Sequence, residues 1–165
     1  MDGIHHPLPK LIADAMLGGL ARWLRALGLD TAYDPALDDP DLVDLAVAEG
    51  RIILTRDRRL VQRRRAANHL LVRSEVVDEQ VSEVLAKLAI EPAAEARFSR
   101  CLRCNAELRE IPTEEAVREV PPYVARTQTR FRRCPSCRRI YWRATHAERM
   151  RRRLRKMGVA EEPEL

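Results

Sequence analysis

Aromatic side chains are scarce: the chain has two Trp, three Tyr and two Phe among 165 residues. A core built from this composition must rest on Leu, Val, Ile and Ala. No run approaches the ~18 apolar residues that a membrane span needs, and Met1 to Lys10 lacks the apolar stretch of a secretory signal. No membrane partner is therefore expected. There is no internal repeat and no low-complexity segment. Cysteine is absent except at four positions, Cys101, Cys104, Cys134 and Cys137. Scattered core thiols would be expected to leave others elsewhere. With no export signal, the reducing cytoplasm is the expected compartment.

The four cysteines form two Cys-x-x-Cys knuckles with 29 residues between them. A two-residue spacer lets both thiolates of a knuckle face one ion, and two knuckles complete a tetrahedron of sulfur around zinc. A closed four-sulfur site keeps no open position for substrate, so the expected zinc is structural. The spacer exceeds the usual ~15–20 residues, which predicts a hairpin or short helix inserted between the knuckles.

The net charge of +5 hides an asymmetry. Residues 1–97 carry 13 Lys and Arg against 16 Asp and Glu, whereas residues 98–157 carry 17 against 6. An acidic half joined to a basic half suits a catalyst joined to a polyanion grip.

Along the first half, short apolar runs alternate with helical periodicity, which predicts parallel βα units. Lys10–Asp14, Leu29–Tyr33, Arg51–Thr55 and His69–Val72 are the expected strands. Met16, Leu20, Trp23, Leu24 and Leu27 mark the core side of a first helix that Gly28 ends. Asp39-Pro40-Asp41 opens a second, with Asp39 at the cap, and Gly50 closes it. Asp57 begins a third that runs through Arg65, and Val77, Val81, Val84, Leu85 and Leu88 mark a fourth. Residues 91–97 are the expected linker between an α/β domain (8–92) and a zinc ribbon with a basic terminal helix (98–157).

Ligands of a parallel sheet bind beyond the carboxyl ends of its strands. Asp14, Asp39 and Asp57 all fall at that edge. Three converging carboxylates suit a hard cation, magnesium or manganese, which can activate water and stabilise charge on a phosphate. Each aspartate suits a plain helix cap equally well, and spacing alone leaves both readings open. No Ser/His or Cys/His arrangement accompanies them, so no protein nucleophile is expected.

The run Leu11-Ile-Ala-Asp14-Ala-Met-Leu-Gly18-Gly-Leu-Ala-Arg22-Trp23-Leu-Arg25, with Leu54-Thr55-Arg56-Asp57, resembles the PIN-like RNase domain of the Mut-seven C-terminal family. In that family a zinc ribbon follows the domain. Phe98-Ser-Arg-Cys101, Val120-Pro121-Pro122-Tyr123 and Tyr141-Trp142-Arg143-Ala144-Thr145-His146 are similar to its ribbon. The resemblance implies a PIN-like parallel sheet flanked by helices and a metal-dependent ribonuclease whose acids are Asp14, Asp39 and Asp57. Arg58, Arg59 and Leu60 follow Asp57 where PIN nucleases often have a fourth acid, so a fourth ligand is missing or comes from elsewhere. Asp41 and Asp44 are nearby candidates, whose other role is a solvated helix face. Gly19 stands where a basic residue is expected, and Ala144 and Ala147 replace a glycine and an aromatic.

RNA is the expected partner, with DNA left open. Arg22 and Arg25 are candidates to hold a phosphate, an ion pair being the equal alternative, and Arg143 and His146 are candidates on the ribbon side. Six of the eight residues from Arg149 to Lys156 are cationic and can follow a phosphate backbone. Tyr123, Phe131, Tyr141 and Trp142 offer stacking faces, although the small ribbon needs some of them for its own core. The alternative is a nucleic-acid-binding protein whose PIN-like domain no longer cuts.

Overall fold

The structure, a computed structural model, describes residues 8–143 and 145–159, the side chains of 145–147 excepted. Strands β1 (Leu11–Ala13), β2 (Thr31–Ala32), β3 (Ile52–Thr55) and β4 (His69–Leu71) form one parallel sheet in the order β2-β1-β3-β4. Helices α1 (Gly18–Ala26), α2 (Asp39–Glu49), α3 (Arg58–Val61) and α4 (Val77–Lys87) follow the four strands in turn. The α/β architecture expected from the alternating pattern is present.

Side-chain alternation sorts the strands into two layers. Leu11, Ala13 and Leu54 pack with Leu20, Leu24, Val81 and Val84 of α1 and α4. Ile12 and Ile53 face the other way, against Leu42, Val43 and Ala46 of α2 and Leu60 of α3. Helix ends follow local chemistry. Gly50 closes α2 in the left-handed region, at φ 64°, where a residue without Cβ is least strained. Gly28 lies at φ 87°, and a Cβ there would stand 2.3 Å from the Ala96 carbonyl oxygen. Only glycine lets the 91–97 linker press so closely on this turn.

Three expectations need correction. The cap of α2 is Asp38, not Asp39: Asp38 is extended and its carboxylate accepts from the Asp41 N–H at 2.9 Å. Asp39 is instead the first helical residue. The helix after Asp57 does not reach Arg65, because α3 ends at Val61 and a separate 3₁₀ turn, Arg64–Ala66, carries Ala66 into the second layer. Met16 is 60% exposed in a 3₁₀ turn (Ala15–Leu17), so it is not part of the core face.

The second half is built on an antiparallel sheet, β5 (Arg109–Ile111), β6 (Phe131–Arg133) and β7 (Ile140–Trp142). The long spacer between knuckles contains two short helices, α5 (Thr113–Ala116) and α6 (Pro122–Thr127). Ala116, Val120 and Phe131 make its small core. Arg133 of β6 binds Glu115 and Glu119, which ties the inserted segment to the sheet.

The last helix is α7 (Thr145–Lys156). Met150, Leu154 and Val159 belong to the same buried cluster as α1 and α4. Each buried side chain of that size contributes about 1.5–3 kcal/mol, far more than the exposed Arg153–Asp78 ion pair beside them. Ser82 Oγ donates to the Met157 carbonyl at 3.2 Å, and Arg153 lies over the Trp23 ring at 5.1 Å. Residues on both sides of the 91–97 segment therefore contribute to one buried cluster.

Candidate active site and metal centre

β1 and β3 are neighbours although β2 lies between them in sequence, and the sheet's order reverses at this pair. A crevice beyond the carboxyl ends of such a pair is the usual ligand position of an open parallel sheet. Asp14 follows β1 directly, and Asp57 follows β3 by two residues. They are joined through Thr55, whose hydroxyl donates to Asp14 Oδ2 at 2.7 Å and accepts from the Asp57 N–H at 2.9 Å. Asp14 is only 9% exposed, and its other oxygen accepts from the Ala15 N–H at 2.6 Å. Asp57 caps α3 by accepting from the Arg59 N–H at 2.7 Å. Asp39 stands apart in its bonding: its carboxylate faces Arg63 at 3.3 Å, in a half-exposed pair.

Thr55 thus links Asp14 and Asp57, Asp39 pairs elsewhere, and the oxygens of the three aspartates do not form a tight cluster. Among the described residues, the only three or more potential ligand atoms within 4.8 Å of one another are the cysteine sulfurs. Thr55, which couples two of the acids, was not singled out from sequence. Its signal was its place between the end of β3 and Asp57.

Of the expected phosphate contacts, Arg22 is exposed on α1, and Arg143 is exposed and pairs with Glu148 at 3.1 Å. The His146 side chain lies outside the described residues. Arg25 must be corrected. It is 4% exposed, and its guanidinium donates to three backbone carbonyls: Thr31 (2.8 Å), Leu102 (3.1 Å) and Arg103 (2.8 Å). Burial lowers its pKa from the ordinary arginine value, opposed by the negative charge of Cys101, Cys104 and Asp30. Its hydrogen bonds join residues 25 and 31 to the first knuckle. Among the aromatics, Phe131 and Trp142 pack in the ribbon core, Trp23 is buried in the main core, and Tyr123 is 70% exposed.

The two knuckles bring their four sulfurs together. A tetrahedral zinc with Zn–S bonds of ~2.3 Å requires sulfurs roughly 3.8 Å apart, and Cys101 and Cys137 stand at 3.7 Å. Each knuckle turns its second cysteine's N–H toward its first sulfur, Cys104 to Cys101 at 3.3 Å and Cys137 to Cys134 at 3.4 Å. A left-handed residue then follows, Asn105 (φ 68°) or Arg138 (φ 59°). Burial raises the Cys101 pKa, but hydrogen bonds from the Tyr141 hydroxyl and from the Cys104 and Arg103 N–H groups outweigh it and bring it down to about 6. Burial, with the neighbouring Cys137 and Cys101, pushes Cys104 up to about 12. The soft donor set suits zinc.

No helix among the described residues is long and apolar enough to cross a membrane. No curated protein and no solved structure matches the chain. The family model of the Mut7-C RNAse domain matches residues 9–154, covering both the acidic edge and the four cysteines, and the chain belongs to that family.

Proposed function

We propose that the protein is a magnesium- or manganese-dependent ribonuclease, hydrolysing RNA at the edge that carries Asp14, Asp39 and Asp57. The observation that carries this reading is the Asp14–Thr55–Asp57 arrangement at the point where strand order reverses, in a chain of an RNase-domain family. The donor set fits a hard dication. Each oxygen of Asp14 accepts one hydrogen bond and has a second lone pair to offer. The exposed Asp39–Arg63 pair holds by no more than about 1 kcal/mol and opens readily. A dication bound by these carboxylates supplies activated water and offsets charge growing on the phosphate. Thr55 holds Asp14 in place, Asp57 is set by its cap on α3, and neither requires rearrangement to present an oxygen.

The four cysteines hold a structural zinc in this reading, and the partner is RNA gripped by the basic surface of the second half. α7 supplies a cationic face: Arg149, Arg152, Arg155 and Lys156 are exposed, with no acidic partner among the described residues. Replacing all four by alanine should leave the fold intact, because Met150 and Leu154 anchor the helix from its other side. RNA affinity should fall, and the slope of log affinity against log salt should shrink by about 3, at about 0.7 per lost phosphate contact on single strands. Filter binding between 50 and 200 mM salt, roughly the range over which such slopes are read, checks this. An unchanged slope would remove α7 from the RNA surface.

A second reading, a nucleic-acid-binding protein without catalysis, draws on two observations. The three aspartates form no tight ligand group among the described residues, and Arg58 and Arg59 follow Asp57 where a further acid would serve a metal. Incubation with labelled single-stranded RNA and magnesium separates the two, since the nuclease shortens the RNA and the binding protein retains it whole.

A further inference from the structure

Arg25 belongs to α1, yet two of its three hydrogen bonds go to Leu102 and Arg103, the two residues between Cys101 and Cys104. Its third goes to Thr31, the first residue of β2. No carboxylate among the described residues lies within ion-pair distance of this buried cation. The negative charges that act on it are Cys101, Cys104 and Asp30; four thiolates around one dication would carry a net charge of −2.

Other bonds run in parallel. The Asn105 side chain, immediately after the knuckle, accepts from the Thr31 N–H at 3.0 Å and donates to Asp30 at 2.7 Å. Arg100 donates to the Gly28 carbonyl at 3.1 Å. Both backbone polar groups of Thr31 are thus taken by residues that surround or depend on the knuckle. β2 is a two-residue strand at the edge of the sheet, too short to hold its place by pairing with β1 alone.

We propose that Arg25 and Asn105 shape the metal-binding turn from outside and make metal occupancy of the cysteines and the order of the β2 edge mutually dependent. Groups that orient ligands from behind commonly tune metal affinity 10–100-fold, and by linkage the metal must stabilise whatever those groups hold. The inference rests on the cysteines binding zinc and is independent of whether the acidic edge cuts RNA.

The test is zinc competition against a chromophoric chelator on the full chain, with no RNA present. Four proteins are compared: wild type, Arg25→Lys, Asn105→Ala and Arg153→Ala. The last severs the Arg153–Asp78 pair, which lies on α7 and α4 and touches neither knuckle. The expected result is at least a tenfold weaker zinc affinity for Arg25→Lys and for Asn105→Ala, with Arg153→Ala unchanged. Zinc removal from the wild type should also speed hydrogen exchange at the Thr31 amide. Affinity equal to wild type in Arg25→Lys and Asn105→Ala, or an equal fall in Arg153→Ala, would overturn the proposal. So would a wild type that binds no zinc.

Discussion

Replacing Cys101 and Cys134 together by serine should unfold the β5–β6–β7 sheet and lower the melting temperature of the whole chain by more than about 10 °C. The ribbon's own core is too small to stand unaided: Ala116, Val120 and Phe131 are its buried members, and domains this small ordinarily require a metal or disulfides. A structural zinc supplies on the order of 10 kcal/mol to such a unit. The damage should spread, because Arg25, Asn105 and Arg100 connect the first knuckle to residues 28–31 of the other half. For a chain of this size each kcal/mol lost lowers the melting temperature by about 2–4 °C, so loss of even a third of the zinc contribution is readily seen. Circular dichroism melts, with limited proteolysis to locate the opened segment, provide the measurement. A double variant that melts with the wild type and resists protease would mean that the cysteines are structurally idle.

The second large effect concerns activity. Asp14→Asn should reduce RNA cleavage by about 10³-fold while leaving the fold and RNA binding in place. The substitution keeps shape and volume, and the carboxamide can still accept the Ala15 N–H that now bonds to Asp14 Oδ1. The Thr55 hydroxyl loses its acceptor, Asp14 Oδ2, and its proton must turn elsewhere, at a cost of about 1 kcal/mol. Loss of a carboxylate from a metal site forfeits several kcal/mol of transition-state stabilisation, which at about 1.4 kcal/mol per factor of ten gives the stated magnitude. Single-turnover cleavage and filter binding on the same preparation check both halves. Cleavage within a few-fold of wild type would leave Asp14 as a helix cap only.

Much of this architecture was readable from residue order because it depends on local chemistry. Gly28 and Gly50 end their helices by taking positive φ, and the alternation of Leu11, Ile12 and Ala13 between layers follows from strand geometry alone. The paired knuckles declared their partners by spacing. The cap of α2 was less legible, since Asp38-Asp39-Pro40-Asp41 offers two acceptors one residue apart. The choice falls to Asp38 because its extended backbone aims the carboxylate at the Asp41 N–H. Arg25 was beyond local reasoning: two of the three carbonyls it binds lie 77 and 78 residues away. From sequence it sat on α1 one turn from Arg22, with a phosphate contact and an ion pair as its two readings. α7 shows the reverse case. Its density of arginine drew attention to its outer face, while Met150 and Leu154, four residues apart, carried an unread signal that its other side is buried.

The measurement that bears most directly on the acidic edge is cleavage of a labelled mixed-sequence single-stranded RNA by the purified chain, run with manganese, with EDTA, and as the Asp57→Asn variant with manganese. The expected result is shortened RNA in the first reaction and intact RNA in the other two. Cleavage that persists in EDTA or in the Asp57→Asn variant would contradict a metal site at this edge. RNA retained whole by the protein in all three would contradict catalysis and leave a binding protein.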